Sequence, residues 1–190
     1  MQDTLRMMAA SRQWEKIPFK AYHGINTPLF SLRSERGSGI GEYADLIPFI
    51  QWCQEVGFNL IQLLPLNDTG DDPSPYNAQS TLALHPIYLS LRQLPNIELW
   101  PDLMRDISHI QVFNTSVRVD YQRVLKEKLS FLRHYVDREG KNISQTPEYQ
   151  LFKMSHPWVK SYATFKALKE RYGGKHWQHW AKEHAPVFPN

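Results

Sequence analysis

The sequence predicts an α/β fold that opens with a parallel β-α-β unit and continues in helices. Three observations lead to this prediction. Residues 59–64 form a nearly continuous apolar run of strand length, a pattern typical of a strand covered on both faces. Apolar residues recur at helical spacing over residues 46–56, directly before that run. Two longer segments in the second half, 120–138 and 158–172, also have helical periodicity.

The β-α-β unit is expected over residues 29–64. Residues 29–32 are the first strand candidate, and a glycine-rich turn follows at 37–41. The helix begins after Asp45, a suitable N-cap, and Gly57 marks its end. Strand, helix and strand in this order predict one right-handed parallel unit. The buried face expected for the helix consists of Leu46, Phe49, Ile50, Cys53 and Val56.

Beyond this unit the chain is predicted to be loop-rich over 65–101 and then helical. The helix at 120–138 is capped by Asp120 and should end before Gly140. The helix at 158–172 ends at two glycines. Shorter helices are expected within 1–20 and 176–184. The buried stripe predicted for the 120–138 helix consists of Tyr121, Val124, Leu125, Leu132, Tyr135 and Val136.

Two parallel strands do not make a stable sheet by themselves. The organisation leaves two interpretations: the helices complete an unusual small α/β domain, or these 190 residues are the front of a longer chain, and the second is favoured. Without further strands, the sheet edges stay unpaired, and an apolar surface should remain exposed.

Composition and charge exclude several classes of protein. The net charge is +3 and no run of five like charges occurs, so neither nucleic acid nor anionic lipid is an expected partner. The apolar patch from Met7 to Ala10 is too short for a signal peptide, and nothing approaches a membrane span. A cytoplasmic protein without membrane contact is expected. The single Cys53 excludes an intrachain disulfide framework and a cysteine-based zinc cluster.

Residues 62–80 are the most informative stretch. They run from the end of the predicted second strand into a long loop, where parallel α/β proteins place ligands. Sugars stack their C–H faces on aromatic rings while their hydroxyls pair with polar side chains. From composition and position alone, a sugar site and a rigid surface loop remain equal alternatives. The side chains that suit a sugar are Tyr76 with Ser74, Asn77, Gln79 and Ser80.

Three other motifs favour ordinary structural interpretations. The glycines at 37–41 lack the spacing of a nucleotide-binding loop and indicate a tight turn. The cluster of Asp68, Asp71 and Asp72 lacks the spacing of a calcium loop and indicates a solvated turn. A zinc site is conceivable near the end of the chain but is disfavoured against a solvated helix. Its ligands would come from His176, His179, Glu183 and His184.

Several short segments between Gly24 and Leu91, and some further downstream, follow one another in a recognisable order. They are 27–32, 39–42, 62–66 and 74–77, followed downstream by 119–121, 163–170, 173–174 and Trp177. With these segments, the chain resembles the opening of the 4-α-glucanotransferases (amylomaltase or disproportionating enzyme) of the α-amylase clan. Three positions depart from the family pattern: Ile61 replaces a Trp, Pro73 replaces an Asp, and His85 replaces an Asn before Pro86.

The resemblance implies the N-terminal part of a (β/α)₈ barrel with a helical insertion. A barrel of this kind needs at least ~200 residues, so later strands are expected beyond Asn190. The implied division is an N-terminal extension at 1–22, the first β-α-β unit with the substrate loop at 23–100, and the helical insertion at 101–190. The catalytic Asp nucleophile, Glu acid/base and second Asp of the family are also expected beyond Asn190, so this chain alone should be inactive.

The implied reaction transfers segments of α-1,4-glucan between maltodextrins by a retaining double displacement, which requires two carboxylates about 5 Å apart. Ser74, Tyr76 and Asn77 are the implied donor-sugar contacts, with Tyr76 as the stacking platform and Asp72 as a further candidate. Neither a metal nor an organic cofactor is implied. Two alternatives remain: a non-catalytic carbohydrate-binding or scaffolding protein that uses the same loop, and a nucleic-acid-binding domain, which the absent basic cluster disfavours.

Overall fold

The computed structural model describes Met7, Lys16 and residues 20–181. It shows a mixed α/β chain with a small parallel sheet and five α-helices among the described residues. The helix expected within 1–20 therefore lies almost wholly outside the described residues. The elements are β1 (Gly24–Thr27), α1 (Leu46–Glu55), β2 (Leu60–Leu63), α2 (Pro101–Gln111), α3 (Tyr121–Ser144), α4 (Pro147–Ser155) and α5 (Trp158–Arg171).

The first strand lies earlier than the sequence predicts. β1 pairs in parallel with β2, from Gly24 opposite Leu60 to Thr27 opposite Leu63. The prediction of a strand at 29–32 is wrong, because Leu29–Ser31 form a 3₁₀ turn instead. This turn is closed at Pro28, whose carbonyl oxygen accepts from the Ser31 amide at 3.1 Å and from the Ser31 hydroxyl at 2.8 Å. These hydrogen bonds turn the chain away from the sheet.

The second strand and α1 agree with the prediction in position but not in burial. β2 occupies Leu60–Leu63, and α1 begins at Leu46 and ends before Gly57, whose φ is +84°. All of α1 is described, and only Cys53 is buried in it. Leu60 is 47% exposed, so the expectation of a strand covered on both faces is wrong.

The uncovered face is a direct consequence of the small sheet. Among the described residues the sheet has two strands, so the outer side of the β-α-β unit meets no neighbouring element. This is the apolar surface expected of a β-α-β unit that lacks further strands. Its exposed members are Ile47, Ile50, Trp52, Val56 and Leu60.

Most of the core comes from segments that the sequence did not assign. Three 3₁₀ turns between Pro86 and Leu99 contribute buried apolar residues, and α2 packs them against α3. Residues 65–101 were predicted only as loop-rich, because three-residue turns have no detectable periodicity. The two core clusters comprise Leu91, Ile97, Leu103, Ile107, Ile110, Phe131 and Tyr135, and Leu29, Ile40, Ile87, Tyr88, Val124 and Leu125.

Helix α3 begins as predicted and ends later. The Asp120 carboxylate accepts a hydrogen bond from the Arg123 amide at 3.2 Å, as expected of an N-cap. The helix continues through Gly140, which the sequence placed beyond its end. The buried Glu139 carboxylate explains the continuation, because it accepts from Trp100 Nε1 at 2.8 Å and Asn96 Nδ2 at 3.0 Å and so ties this part of the helix to the core.

The buried stripe of α3 is also partly different from the prediction. Val124, Leu125 and Tyr135 are buried as expected, whereas Val136 is 57% exposed. Lys128 lies in the stripe instead, a position that hydrophobic periodicity could not predict because the side chain is charged.

Helix α5 begins and ends close to the predicted positions. The helix ends at Arg171, and both Gly173 and Gly174 have positive φ angles. Of the helix expected at 176–184, the structure describes one 3₁₀ turn, Trp177–His179, and residues from 182 onward lie outside the described part. Within the described residues, no helix is long and apolar enough to cross a membrane.

Candidate functional site

The loop that follows β2 is closed at its base by backbone hydrogen bonds. Asn67 and Leu84 form an antiparallel bridge. The amide of Asp68 donates to the carbonyl of Ala83 at 2.9 Å, and the carbonyl of Asp68 accepts from the amide of Gln79 at 2.7 Å. We call residues 67–84 the β2 loop and this base its neck.

The tip of the β2 loop is organised by Asp72. One carboxylate oxygen accepts from the Ser74 amide at 2.8 Å, and the other accepts from Asn77 Nδ2 at 2.8 Å. The hydrogen bonds from Ser74 and Asn77 hold the pKa of Asp72 below its usual value. The structure therefore brings Asp72, Ser74 and Asn77 together. In this arrangement Asp72 shapes the tip, because both of its oxygens already have partners within the loop.

Tyr76, the fourth predicted site residue, projects from this tip. It is 69% exposed, while the amide of Asn77 donates to the carbonyl of Ser74 at 3.2 Å and closes the turn beneath it. The prolines on either side of Ser74 restrict the backbone further. An aromatic ring on a rigid, polar turn is an arrangement that can bind a sugar face at a low ordering cost.

His85, a departure from the family pattern, supports the loop from below. It is buried, and its Nδ1 accepts from the Ile87 amide at 3.1 Å, which places the ring proton on Nε2. Nε2 lies 2.8 Å from the Gly70 carbonyl oxygen and donates to it. Burial lowers the pKa of His85, with the hydrogen bond to Gly70 and the charge of Asp68 opposing that shift. The imidazole thus holds the loop as a neutral donor.

Tyr121 reaches the same carbonyl from α3. Its hydroxyl donates to the Gly70 carbonyl oxygen at 3.1 Å and lies 2.8 Å from His85 Nε2. Burial raises the pKa of Tyr121 to about 12. Tyr121 therefore holds the β2 loop in addition to beginning α3. The only sequence signal for this contact was the match of 119–121 to the family.

Asp68 is the most connected side chain at the neck. Oδ1 accepts from the Gly70 amide at 2.7 Å, and Oδ2 accepts from the Tyr162 hydroxyl and lies 3.0 Å from Lys166 Nζ. Burial alone would raise the pKa of Asp68, but the hydrogen bond from Tyr162 and the charge of Lys166 outweigh it and lower the pKa. The expectation of a solvated turn is wrong for Asp68, which is buried.

In the part of the chain that the structure describes, the candidate metal sites do not assemble. Asp68 lies at the neck and Asp72 at the tip, so their carboxylates do not converge. Within the described residues, no group of three or more His, Cys, Asp or Glu side chains is placed to hold a metal ion. Glu183 and His184, two of the four conceivable zinc ligands, lie outside these residues.

The glycine-rich turn at 37–41 is buried and tightly packed, as a tight turn predicts. Gly39 has a φ of +83°, and a Cβ atom there would lie 2.5 Å from Phe113 Cβ. A Cβ atom on Gly41 would lie 1.9 Å from the Leu29 carbonyl oxygen. These glycines allow close packing of the chain and leave no room for a phosphate group.

Comparison with known proteins decides the family. The family model for 4-alpha-glucanotransferase, glycoside hydrolase family 77, matches residues 27–188. The chain belongs to this family. The matched region includes Thr27, the last residue of β1, the whole β2 loop and helices α1 to α5.

Individual relatives agree with this assignment. The chain is similar to a 4-alpha-glucanotransferase of Chlamydia pneumoniae, with 40% identity over 91% of this chain and 33% of that protein. A 4-alpha-glucanotransferase of Chlamydia caviae is 35% identical over 94% of this chain and 34% of its own length. The 4-alpha-glucanotransferase DPE2 of Oryza sativa subsp. japonica is 32% identical over 84% of this chain and 17% of its length. The chain thus spans about a third of the two chlamydial relatives.

Proposed function

We propose that this chain forms the N-terminal part of a 4-α-glucanotransferase and carries its donor-sugar loop. The match to the family over residues 27–188 carries the proposal. In the proposed reaction, a segment of α-1,4-glucan is transferred between maltodextrins with retention of configuration. The substrate is maltodextrin.

The geometry of the β2 loop supports the assignment of the sugar contacts. Tyr76 offers an exposed ring, and the neighbouring Ser74 and Asn77 offer a hydroxyl and an amide on the same turn. A glucose unit has one apolar C–H face and a rim of hydroxyls, so it pairs with a ring and polar groups at once. Asp72 contributes indirectly, because it fixes the positions of Ser74 and Asn77.

The two parallel strands support the proposed place of this chain in a (β/α)₈ barrel. β1 and β2 are joined through α1 as consecutive barrel strands are, and the β2 loop follows the carboxyl end of β2. Barrel enzymes build their active sites from loops at this end. We retain the division into an extension at 1–22, the β-α-β unit with its loop at 23–100, and a helical insertion at 101–190.

The chemistry of the proposed double displacement needs a nucleophile and an acid/base about 5 Å apart. The resemblance implies that these carboxylates lie beyond Asn190. The residues of the β2 loop would then bind and orient the donor. We expect the 190-residue chain alone to have no transferase activity.

The experiment that tests this function is maltotriose disproportionation by the full-length protein that contains this chain. Formation of glucose and longer dextrins is the expected result. Binding of maltoheptaose without any turnover would instead support the non-catalytic carbohydrate-binding alternative. Glucose release from maltotriose by the 190-residue chain alone would contradict the expectation that the catalytic carboxylates lie outside it.

A further inference from the structure

We infer that Asp68 is a positioning residue for the donor glucan: it links helix α5 to the neck of the β2 loop and so fixes the orientation of the tip that presents Tyr76. This inference rests on the proposed function and deepens it. It assigns to Tyr162 and Lys166 of the helical segment a role in substrate binding, although neither side chain belongs to the loop.

Asp68 is placed where a single residue can control the whole loop. Its amide and its carbonyl make the two backbone hydrogen bonds of the neck, to Ala83 and from Gln79. Its side chain accepts from the Gly70 amide at 2.7 Å. Any displacement of Asp68 therefore moves both sides of the neck together.

A hydrogen-bonded path continues from the neck to the tip. The next residue, Thr69, makes two hydrogen bonds. Its carbonyl oxygen accepts from Gln79 Nε2 at 3.0 Å, and the Thr69 hydroxyl donates to the carbonyl of Asp72 at 2.6 Å. Asp72 in turn holds Ser74 and Asn77. The orientation of Asp68 is thus transmitted to the turn beneath Tyr76 through Thr69 and Asp72.

The contact between α5 and the neck is polar and specific. All of α5 is described, and none of its residues is fully buried, so apolar packing alone does not fix the helix against the loop. Tyr162 and Lys166 lie one helical turn apart and converge on the same oxygen, Oδ2 of Asp68. Because the Asp68 carboxylate is buried, the loss of either partner leaves a charged group less well satisfied.

The test uses the full-length protein and three substitutions at this contact: Tyr162→Phe, Lys166→Met and Asp68→Asn. Tyr162→Phe removes one hydroxyl and keeps the ring. Asp68→Asn leaves one amide oxygen for two donors, the Gly70 amide and the Tyr162 hydroxyl, and removes the charge beside Lys166, so it should raise KM at least as much as the other two. We expect Tyr162→Phe and Lys166→Met to raise KM for the maltotriose donor about tenfold while kcat changes much less.

Two matched controls lie on the helical segment away from the loop. Tyr149→Phe removes a tyrosine hydroxyl from α4, and Lys160→Met removes an exposed lysine from α5. Both should keep the wild-type KM. A merely structural role of the contact would lower the melting temperature and the active fraction, and hence kcat, but would leave KM unchanged.

A second measurement does not depend on activity. Hydrogen exchange of peptides covering residues 68–80 in the full-length protein should become faster in Tyr162→Phe than in Tyr149→Phe. Unchanged KM in both contact variants overturns the inference, whether or not exchange becomes faster. If the wild-type protein transfers no glucan, the proposed function is contradicted, and the role of Asp68 in donor binding with it. Hydrogen exchange then still decides whether α5 holds the β2 loop.

Discussion

His85 Nε2 and the Tyr121 hydroxyl lie 2.8 Å apart, and both reach the carbonyl oxygen of Gly70. His85 directly follows the β2 loop, and Tyr121 lies in the first turn of α3. The loop is therefore held to the helical part of the molecule by a buried polar contact beneath its tip. A neutral imidazole at position 85 can accept from the Ile87 amide and donate to the Gly70 carbonyl at once.

The first prediction concerns the pH dependence of stability. The pKa of His85 is lowered from its ordinary 6.5 by burial, so between the folded-state pKa and 6.5 the unfolded chain binds more protons. The free energy of unfolding should therefore fall as pH decreases below about 6.5 and level off below the folded-state pKa. Urea denaturation at pH 7.5 and pH 5.5 measures this.

The control for this prediction is a second histidine. His85→Asn, which restores the residue type of the family pattern, should remove most of the loss of stability between these two pH values, whereas His23→Asn, at an exposed position, should keep it. An equally steep loss in His85→Asn would contradict the assignment to His85.

The second prediction concerns the buried ion pair of Lys128 and Glu42. Lys128 Nζ lies 2.6 Å from Glu42 Oε1 and also donates to the carbonyls of Ile87 and Leu89, at 2.6 and 2.8 Å. Lys128→Met leaves the Glu42 carboxylate buried without its partner, and this should lower the free energy of unfolding by about 3–5 kcal/mol. Chemical denaturation measures the loss.

The double substitution Lys128→Met with Glu42→Gln provides the control. Since it removes both charges, it should be less destabilised than Lys128→Met alone. If the two variants were equally destabilised, the cost would come from lost packing and lost carbonyl contacts rather than from an uncompensated charge.

The sequence predicted β2, α1, α5 and the start of α3 from apolar spacing and from the ends marked by Gly57 and Asp120. It did not predict α2 or α4, although the buried residues of α2 are at helical spacing and Thr146 caps α4. The strand at 29–32 was misplaced because a short segment with three apolar residues and one serine looks the same in a strand and in a 3₁₀ turn. Pro28, which cannot donate to a sheet, was the available warning.

The candidate site was predictable at its tip and not at its neck. The residues alone left a sugar site and a rigid surface loop as equal alternatives for Ser74, Tyr76 and Asn77, and the family resemblance favoured the sugar site. The neck depends on Asp68, His85 and Tyr162, which are up to 94 residues apart. No local pattern relates side chains that far apart, so their meeting could be found only from the folded chain.

The third prediction concerns Asp72 at the tip of the β2 loop. Asp72→Ala removes the acceptors that hold the Ser74 amide and the Asn77 side chain. The loop must then be ordered when the sugar binds, so the affinity for maltoheptaose should fall about fivefold. Isothermal titration calorimetry of the full-length protein measures it.

The melting temperature separates a role of Asp72 in ordering the loop tip from a role in the stability of the whole protein. Asp72 is at the surface, so the melting temperature of Asp72→Ala should stay near the wild-type value. The neighbouring carboxylate supplies the control, because Asp71→Ala should keep the wild-type affinity. Equal losses in both variants would indicate a general effect of negative charge on the loop.

The last prediction separates two roles of the Tyr76 ring. If the ring stacks on the sugar and the contact strengthens as the sugar flattens toward the transition state, Tyr76→Ala should lower kcat/KM of the full-length protein by ~10²-fold. Tyr76→Phe keeps the ring and should lose clearly less. The 69% exposure of Tyr76 argues against packing as its main role, so neither substitution should move the melting temperature by more than a few degrees. A Tyr76→Ala variant with near wild-type kinetics but a lowered melting temperature would show that the ring only packs the loop. A Tyr76→Phe variant as impaired as Tyr76→Ala would assign the function to the hydroxyl, because the ring face is the same in Tyr and Phe.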